Sequence, residues 1–216
     1  AVEENRLLLY AQPVVPLVSG ISSCLRFEVF LRLLNERGEV VLPEVFLPAA
    51  ERFNLMPRLD RWAIDAACSG LRRLLDQESH PSLQCGINLS VQTVGRPETL
   101  EYIGERLQHY DIAPACLCFE VAEAAASRQF AEVQTFAQGL RQLGCGFAFD
   151  AFGSGLSSFA YLRALPPDYV KIDGDLIHRM TDDRVSQTLV RAIHDISRQL
   201  GVAAVAEMVD DAAVFA

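Results

Sequence analysis

The segment GFAFDAFGSGLSS, at residues 146–158, begins as an apolar strand and breaks into a loop that contains two glycines. Its one carboxylate, Asp150, stands in the middle of the apolar run, and Ala151 follows it. A charged side chain is costly to bury unless a partner or a metal ion offsets its charge. The segment therefore predicts a buried strand whose Asp150 belongs to a site.

Strand-like runs alternate with amphipathic, helix-like runs along the rest of the chain. The strand candidates are residues 7–17, 24–33, 84–90, 117–123, 146–152, 169–173 and 202–209. The helix candidates are residues 43–54, 59–77, 99–110, 130–144 and 183–201. Repeated β-then-α units predict an α/β fold with a mostly parallel sheet or barrel. Because no linker-like stretch divides the chain, we expect one domain over residues 1–216.

The composition restricts the classes of partner. A formal charge of −9 without a block of Lys or Arg argues against binding to nucleic acid. No signal peptide and no run of 18 apolar residues is present, so we expect a soluble chain or a soluble piece of a longer one. The six cysteines form no CxxC pair, which favours reduced core thiols in a cytoplasmic protein, or in the cytoplasmic part of a membrane-attached one.

Polar side chains recur inside the strand candidates. Neighbours in a strand point to opposite faces, so position parity shows which side chains share a face. Asn88, for example, opposes Ile87 and Leu89. The polar positions found in this way are Glu28, Asn88, Glu120, Asp150, Lys171, Asp173 and Glu207. Because several buried carboxylates repel one another, such a set favours bound cations over isolated buried charges.

Four of these side chains carry oxygen atoms of the kind that bind Mg²⁺, Mn²⁺ or Ca²⁺, namely Glu28, Asn88, Glu120 and Asp150. In a barrel with helices outside, the carboxyl ends of all strands meet at one mouth, where ligand residues gather. A carboxylate that faces water at a sheet edge stays an alternative for each residue alone. The set as a whole predicts a metal site at that mouth.

Eight short motifs occur in a fixed order. They are QP at 12–13, EVF at 28–30, PEVFLPAAE at 43–51, NLS at 88–90, FEVAE at 119–123, DAFGSGLSS at 150–158, LPPDYVKID at 165–173 and AEMVD at 206–210. In order and spacing they resemble the bacterial EAL domain, a phosphodiesterase-type domain for cyclic di-GMP. The resemblance runs through nearly the whole chain and implies a TIM-like (β/α) barrel.

The resemblance also implies a role for each matching residue. Glu28, Asn88, Glu120 and Asp150 fall where the family binds Mg²⁺ or Mn²⁺, and Glu207 matches a further metal-linked glutamate. Lys171 and Asp173 fall where the family orients and activates the attacking water. Gln12, Phe30 and Arg32 fall where it contacts the nucleotide. Two divalent ions would then promote the attack of water on one phosphodiester bond and open cyclic di-GMP to pGpG.

The chain departs from the family pattern at the metal site. Ala151 stands where the family has a second aspartate, so the second metal site is expected to be impaired. Strand alternation would place Ala151 on the face opposite Asp150 unless the strand bulges there. AEMVD has Met208 and Asp210 where the family has Gly and Glu, and Phe30 ends EVF where the family has EAL.

Three functions remain open at this point. The first is a degenerate EAL domain that binds cyclic di-GMP as a receptor or effector with little or no hydrolysis. The second is a metal-dependent phosphodiesterase that yields pGpG. The third is a protein-interaction module without nucleotide, which the presence of Gln12 and Arg32 opposes.

Two expectations concern partners and the end of the chain. In the family, the loop between Phe152 and Ser158 is linked to the dimer interface and to metal occupancy, so it is a candidate switch and homodimer contact. An ordinary turn is the alternative. The sequence ends at Ala216, ahead of the family's last strand. We therefore expect a barrel without its closing strand, and other domains in the full-length protein.

Overall fold

The computed structural model describes residues 6–17, 24–77, 82–154 and 158–215. The strands of this part are β1 (Leu7–Val14), β2 (Leu25–Leu34), β3 (Val40–Val41), β4 (Leu83–Asn88), β5 (Leu117–Ala122), β6 (Gly146–Phe152), β7 (Tyr169–Ile172) and β8 (Ala203–Ala206). The longer helices are α1 (Pro43–Arg52), α2 (Met56–Leu75), α4 (Glu98–His109), α6 (Phe130–Leu143) and α9 (Arg184–Gln199). The shorter ones are α3 (Val91–Val94), α5 (Glu123–Arg128), α7 (Ser158–Ala164), α8 (Gly174–Arg179) and α10 (Ala212–Phe215), besides a 3₁₀ turn at Pro114–Cys116.

The strands form one sheet in the order β1-β2-β4-β5-β6-β7-β8, and β3 pairs with β2. β1 and β3 run antiparallel to β2, and the pairs from β2–β4 to β7–β8 are parallel. The sheet is strongly curled. Lys171 on β7 contacts Glu28 on β2 at 2.8 Å, although four strand spacings of roughly 4.8 Å would separate these strands by about 19 Å in a flat sheet. The expected α/β fold is confirmed as an incomplete TIM-like barrel.

The two faces of the sheet differ sharply in composition. The outer face packs its apolar side chains, such as Ile87, Phe119 and Phe149, against the helices in the main hydrophobic core. The inner face carries the polar positions together with small residues such as Gly86 and Ala148. The alternation predicted from the sequence is therefore confirmed. No helix in the described ranges is long and apolar enough to span a membrane.

Several element boundaries differ from those expected. The last strand was expected over 202–209 but ends at Ala206, so Glu207 follows the strand instead of lying inside it. The strand expected over 169–173 ends at Ile172, and Asp173 caps helix α8. The helices that the sequence did not predict have four to seven residues. Such helices span fewer than two turns, too few for an amphipathic repeat to be recognised.

A β-bulge interrupts β6 next to Asp150. The register with β7 shifts between Phe149 and Phe152, and Ala151 has a φ angle of 49°. The exception named for Ala151 therefore applies, because the bulge replaces regular strand alternation at this point. The left-handed conformation costs an alanine roughly 1–2 kcal/mol, whereas glycine adopts it freely and aspartate tolerates it better than most residues.

Replacing Ala151 by glycine tests this strain. We expect Ala151→Gly to raise the free energy of unfolding by up to about 1 kcal/mol, because relief of the left-handed conformation outweighs the extra freedom of glycine in the unfolded chain. Ala148→Gly is the matched control on β6. Ala148 is buried and has no positive φ angle, so this change should destabilise the protein. Urea unfolding of the two variants measures both effects, and a loss of stability in Ala151→Gly would contradict the bulge.

Candidate functional site

Lys171, the only lysine in the sequence, lies at the centre of the inner face. Its Nζ atom lies 2.8 Å from Glu28 Oε2, 3.0 Å from Glu120 Oε2, 2.7 Å from Asp150 Oδ1 and 2.9 Å from Glu207 Oε1. These five residues are called the Lys171 cluster below. They come from β2, β5, β6, β7 and the residue after β8, so one ammonium group joins five segments of the chain.

The charges of the Lys171 cluster are unbalanced, since four carboxylates surround one ammonium. Burial opposes the charge of Lys171, but the carboxylates around it, Glu120 foremost, raise the pKa of its ammonium well above the ordinary value. Burial and neighbouring carboxylates raise the pKa of Glu120 and of Glu207 to about 7, against the opposite effect of Lys171. Added positive charge would therefore be bound favourably here.

Asn88 and Asp173 were also predicted to belong to the site. Asn88 ends β4, and its Nδ2 donates a hydrogen bond to Glu28 Oε1 at 2.5 Å. Asp173 follows β7, and its carboxylate accepts a hydrogen bond from the backbone N–H of Leu176 at 3.3 Å. The structure thus brings Asn88 into contact with the cluster and gives Asp173 the role of a helix cap. A part of Asp173 in water activation stays a prediction.

The predicted nucleotide residues share one face of the β1–β2 hairpin. Gln12 pairs with Glu28, and Leu8 pairs with Arg32. Directly opposed residues of antiparallel strands point to the same side, so this face continues from the Lys171 cluster. The Arg32 guanidinium lies 5.8 Å from the ring centre of Phe30 and 5.3 Å from that of Tyr10. The sequence reasoning missed Tyr10, although the two-residue spacing to Gln12 would have placed both on one face.

Glu123 is a second residue that the sequence reasoning did not single out. It is 1% exposed, and its Oε2 accepts a hydrogen bond from the backbone N–H of Gly153 at 2.8 Å. This bond ties the segment after the bulge to the residue that follows β5. The next residues of the candidate switch loop, 155–157, lie outside the described part of the chain.

Met208, where the family has glycine, also adopts a left-handed conformation, with a φ angle of 52°. Its side chain packs on Gly174, where an added Cβ would lie 2.6 Å from Met208 Cγ. The two departures from the family pattern at Ala151 and Met208 thus occupy backbone positions that favour glycine or aspartate over larger side chains.

The chemistry of the predicted ligands suits a divalent cation. Glu28, Asn88, Glu120 and Asp150 would hold Mg²⁺ or Mn²⁺ through oxygen atoms, and such an ion polarises phosphate and lowers the pKa of bound water. In the ranges that the structure describes, no three His, Cys, Asp or Glu side chains are grouped as a ready metal site. The carboxylates are instead arranged around the Lys171 ammonium.

The fold and the Lys171 cluster identify the class of protein as an α/β barrel with a carboxylate-rich mouth. Comparison with known proteins identifies the family. The sequence profile of the EAL domain matches residues 1–216. The cyclic di-GMP phosphodiesterase PdeB of Shewanella oneidensis is 39% identical over 211 residues, which cover 98% of this chain and 24% of PdeB. The chain therefore belongs to the EAL domain family.

Two solved structures have the same fold. The MucR phosphodiesterase of Pseudomonas aeruginosa, in complex with c-di-GMP, matches with a TM-score of 0.91 at 30% identity, covering 99% of this chain and 85% of that chain. The FimX EAL domain of P. aeruginosa bound to c-di-GMP matches with a TM-score of 0.90 at 28% identity, covering 99% and 84%. The chain spans about a quarter of the length of curated relatives that it matches (24%, 28% and 27%).

Replacing Lys171 by methionine tests the dependence of the fold on its ammonium. We expect Lys171→Met to lower the free energy of unfolding by about 3–5 kcal/mol, because it leaves the buried carboxylates without a cation. The unfolding free energy is measured with urea in the presence of a chelator. Arg106→Met is the matched control, because Arg106 pairs with half-exposed Asp65 at the helix surface. A loss below about 1 kcal/mol in Lys171→Met would contradict the expectation.

The raised pKa values of Glu120 and Glu207 predict a pH dependence. The pKa of each carboxyl is raised from the ordinary 4.5 to about 7, so both bind protons more tightly in the folded chain than in the unfolded chain. The folded state therefore binds more protons than the unfolded state between these values, so the free energy of unfolding falls as the pH rises from about 5 to about 8. Lys171 stays protonated throughout and adds no slope.

Glu207→Gln should reduce this slope, and Glu98→Gln at the exposed start of α4 should leave it unchanged. The slope is obtained from urea unfolding of metal-free protein at several pH values. A protein that becomes more stable between about pH 5 and 8, or a slope that Glu207→Gln does not change, would contradict this account.

Proposed function

We propose that this chain is a degenerate EAL domain that binds cyclic di-GMP as a receptor or effector and hydrolyses it little or not at all. The observation that carries the proposal is Ala151, which occupies the bulge beside Asp150 with a methyl group. A methyl group cannot ligate a metal ion in any geometry. Two-metal hydrolysis needs both ions to stabilise the attacking and leaving oxygens, so the rate should fall by orders of magnitude.

Binding of the nucleotide depends on other positions. Gln12, Phe30 and Arg32 share the face that continues from the Lys171 cluster. Arg32 offers a guanidinium for a phosphate, and Phe30 offers a ring next to it. Two structural relatives that cover nearly the whole chain are described as bound to c-di-GMP. This supports cyclic di-GMP as the ligand, with one Mg²⁺ or Mn²⁺ held by Glu28, Asn88, Glu120 and Asp150.

A metal-dependent phosphodiesterase that yields pGpG is the second candidate. The Lys171 cluster favours this candidate, because it contains the carboxylates of Asp150 and Glu207 and the ammonium of Lys171 at the positions that the family uses. The 39% identity to PdeB, which is named as a cyclic di-GMP phosphodiesterase, also favours it. In this candidate, Lys171 and Asp173 orient and activate the water, and Glu207 assists the metal site.

The setting of the domain is also part of the proposal. Curated relatives are about four times as long as the stretch they share with this chain, so we infer further domains in the full-length protein, which we place in the cytoplasm. A homodimer through the loop at residues 152–158 would connect nucleotide binding to a partner. The Glu123–Gly153 hydrogen bond would transmit a change at that loop to the end of β5.

Restoring the missing aspartate separates the two candidates. We expect Ala151→Asp to gain Mn²⁺-dependent formation of pGpG by at least about 100-fold over the unmodified chain, because a second ligand set becomes complete. Ala151→Gly is the matched control, since it adopts the same left-handed backbone without adding a ligand atom. Chromatography of the nucleotide products measures both rates.

Efficient hydrolysis by the unmodified chain would contradict the receptor function. An unchanged rate in Ala151→Asp would assign the defect to another departure, such as Met208 or Asp210.

A further inference from the structure

Tyr169 lies inside the barrel beneath the Lys171 cluster. Its hydroxyl donates a hydrogen bond of 2.6 Å to Oε1 of Glu120. Tyr169 is 2% exposed and Glu120 is 1% exposed, so water does not compete for this bond. The motif LPPDYVKID placed Tyr169 two residues before Lys171, but the sequence reasoning gave it no role.

Tyr169 and Lys171 contact the two oxygens of the same carboxylate. Residues two positions apart in a strand point to the same face, so both side chains reach Glu120 from β7. Oε1 accepts the bond from Tyr169. Oε2 lies 3.0 Å from the Lys171 ammonium, with which it forms an ion pair. One oxygen is therefore fixed by a neutral donor, and the other is directed at the centre of the cluster.

We propose that Tyr169 is a positioning residue for Glu120. Its hydroxyl orients the carboxylate so that Oε2 faces the centre of the Lys171 cluster, where it would bind Mg²⁺ or Mn²⁺. The inference rests on the proposed function in one respect, because it takes Glu120 to be a ligand of Mg²⁺ or Mn²⁺. Donors that fix the orientation of a metal-binding carboxylate typically change metal affinity about 10- to 100-fold when they are removed.

The surroundings of Tyr169 are shaped for this contact. Gly86 on β4 faces the hydrogen bond, and an added Cβ there would clash with Glu120 Oε1 and lie 3.2 Å from the Tyr169 hydroxyl. The Arg26 guanidinium lies 4.7 Å from the centre of the Tyr169 ring. Cys118 and Ala148 form a buried apolar cluster with Tyr169, and Val205 packs against that cluster. The ring is thus held by its neighbours, and a side chain added at position 86 would displace Glu120 Oε1.

The Tyr169→Phe variant keeps the ring and its packing while it removes the hydroxyl. Tyr110→Phe is the matched control, because the Tyr110 hydroxyl also bonds a carboxylate, Asp65 Oδ1 at 3.2 Å, on the helical layer. Binding of Mn²⁺ alone is followed by electron paramagnetic resonance. We expect Tyr169→Phe to weaken Mn²⁺ binding by at least about 10-fold, and Tyr110→Phe to leave it within about 2-fold of the unmodified chain. Equal affinity in the unmodified chain and Tyr169→Phe would overturn the proposal.

A crystal structure of metal-free Tyr169→Phe tests the orientation without any ligand. The proposal expects Glu120 to change its rotamer and lose the 3.0 Å contact between Oε2 and Lys171. An unchanged Glu120 would overturn it. Gly86→Ala leaves Tyr169 intact but should displace Glu120 Oε1 and weaken Mn²⁺ binding in the same direction. If the unmodified chain binds no Mn²⁺, the metal part of the proposed function fails, and crystal structures of the metal-free unmodified chain and of metal-free Tyr169→Phe still decide whether Tyr169 positions Glu120.

Discussion

The ion pairs of the Lys171 ammonium with four carboxylates are the interaction on which the arrangement of the barrel depends. They connect strands that would lie far apart in a flat sheet, so the curl of the sheet and the cluster require each other. Buried carboxylates without a cation would repel one another and raise the free energy of the folded state. A divalent cation at the same centre would serve the same electrostatic purpose.

The contrast between the two faces of the sheet follows from this constraint. The outer face carries large apolar side chains, which bury their area against the helices and stabilise the barrel. The inner face carries the charged side chains together with Tyr169, and small residues among them leave room for their contacts. Gly86 and Ala148 serve in this way beneath the cluster. The main apolar core therefore lies outside the barrel, and the Lys171 cluster lies inside it.

Much of this arrangement could be predicted from the sequence, because strand alternation shows in the residues themselves. Glu120 and Asp150 each interrupt an apolar run, and their parity placed them on one face. The bulge at Ala151 could not be predicted, since its left-handed conformation depends on the register with β7. The contact between Tyr169 and Glu120 was missed for a similar reason: it joins residues 49 positions apart, and tyrosine is equally common in ordinary core strands.

The proposed receptor function requires that the nucleotide remains intact in the site. Isothermal calorimetry of cyclic di-GMP injected into this protein with excess Mn²⁺ tests this most directly. The account predicts heats that saturate at a simple stoichiometry, with each injection returning to the baseline. A heat signal that persists after each injection because of turnover, with pGpG found in the calorimeter cell afterwards, would contradict the account. The chain would then be an enzyme despite Ala151.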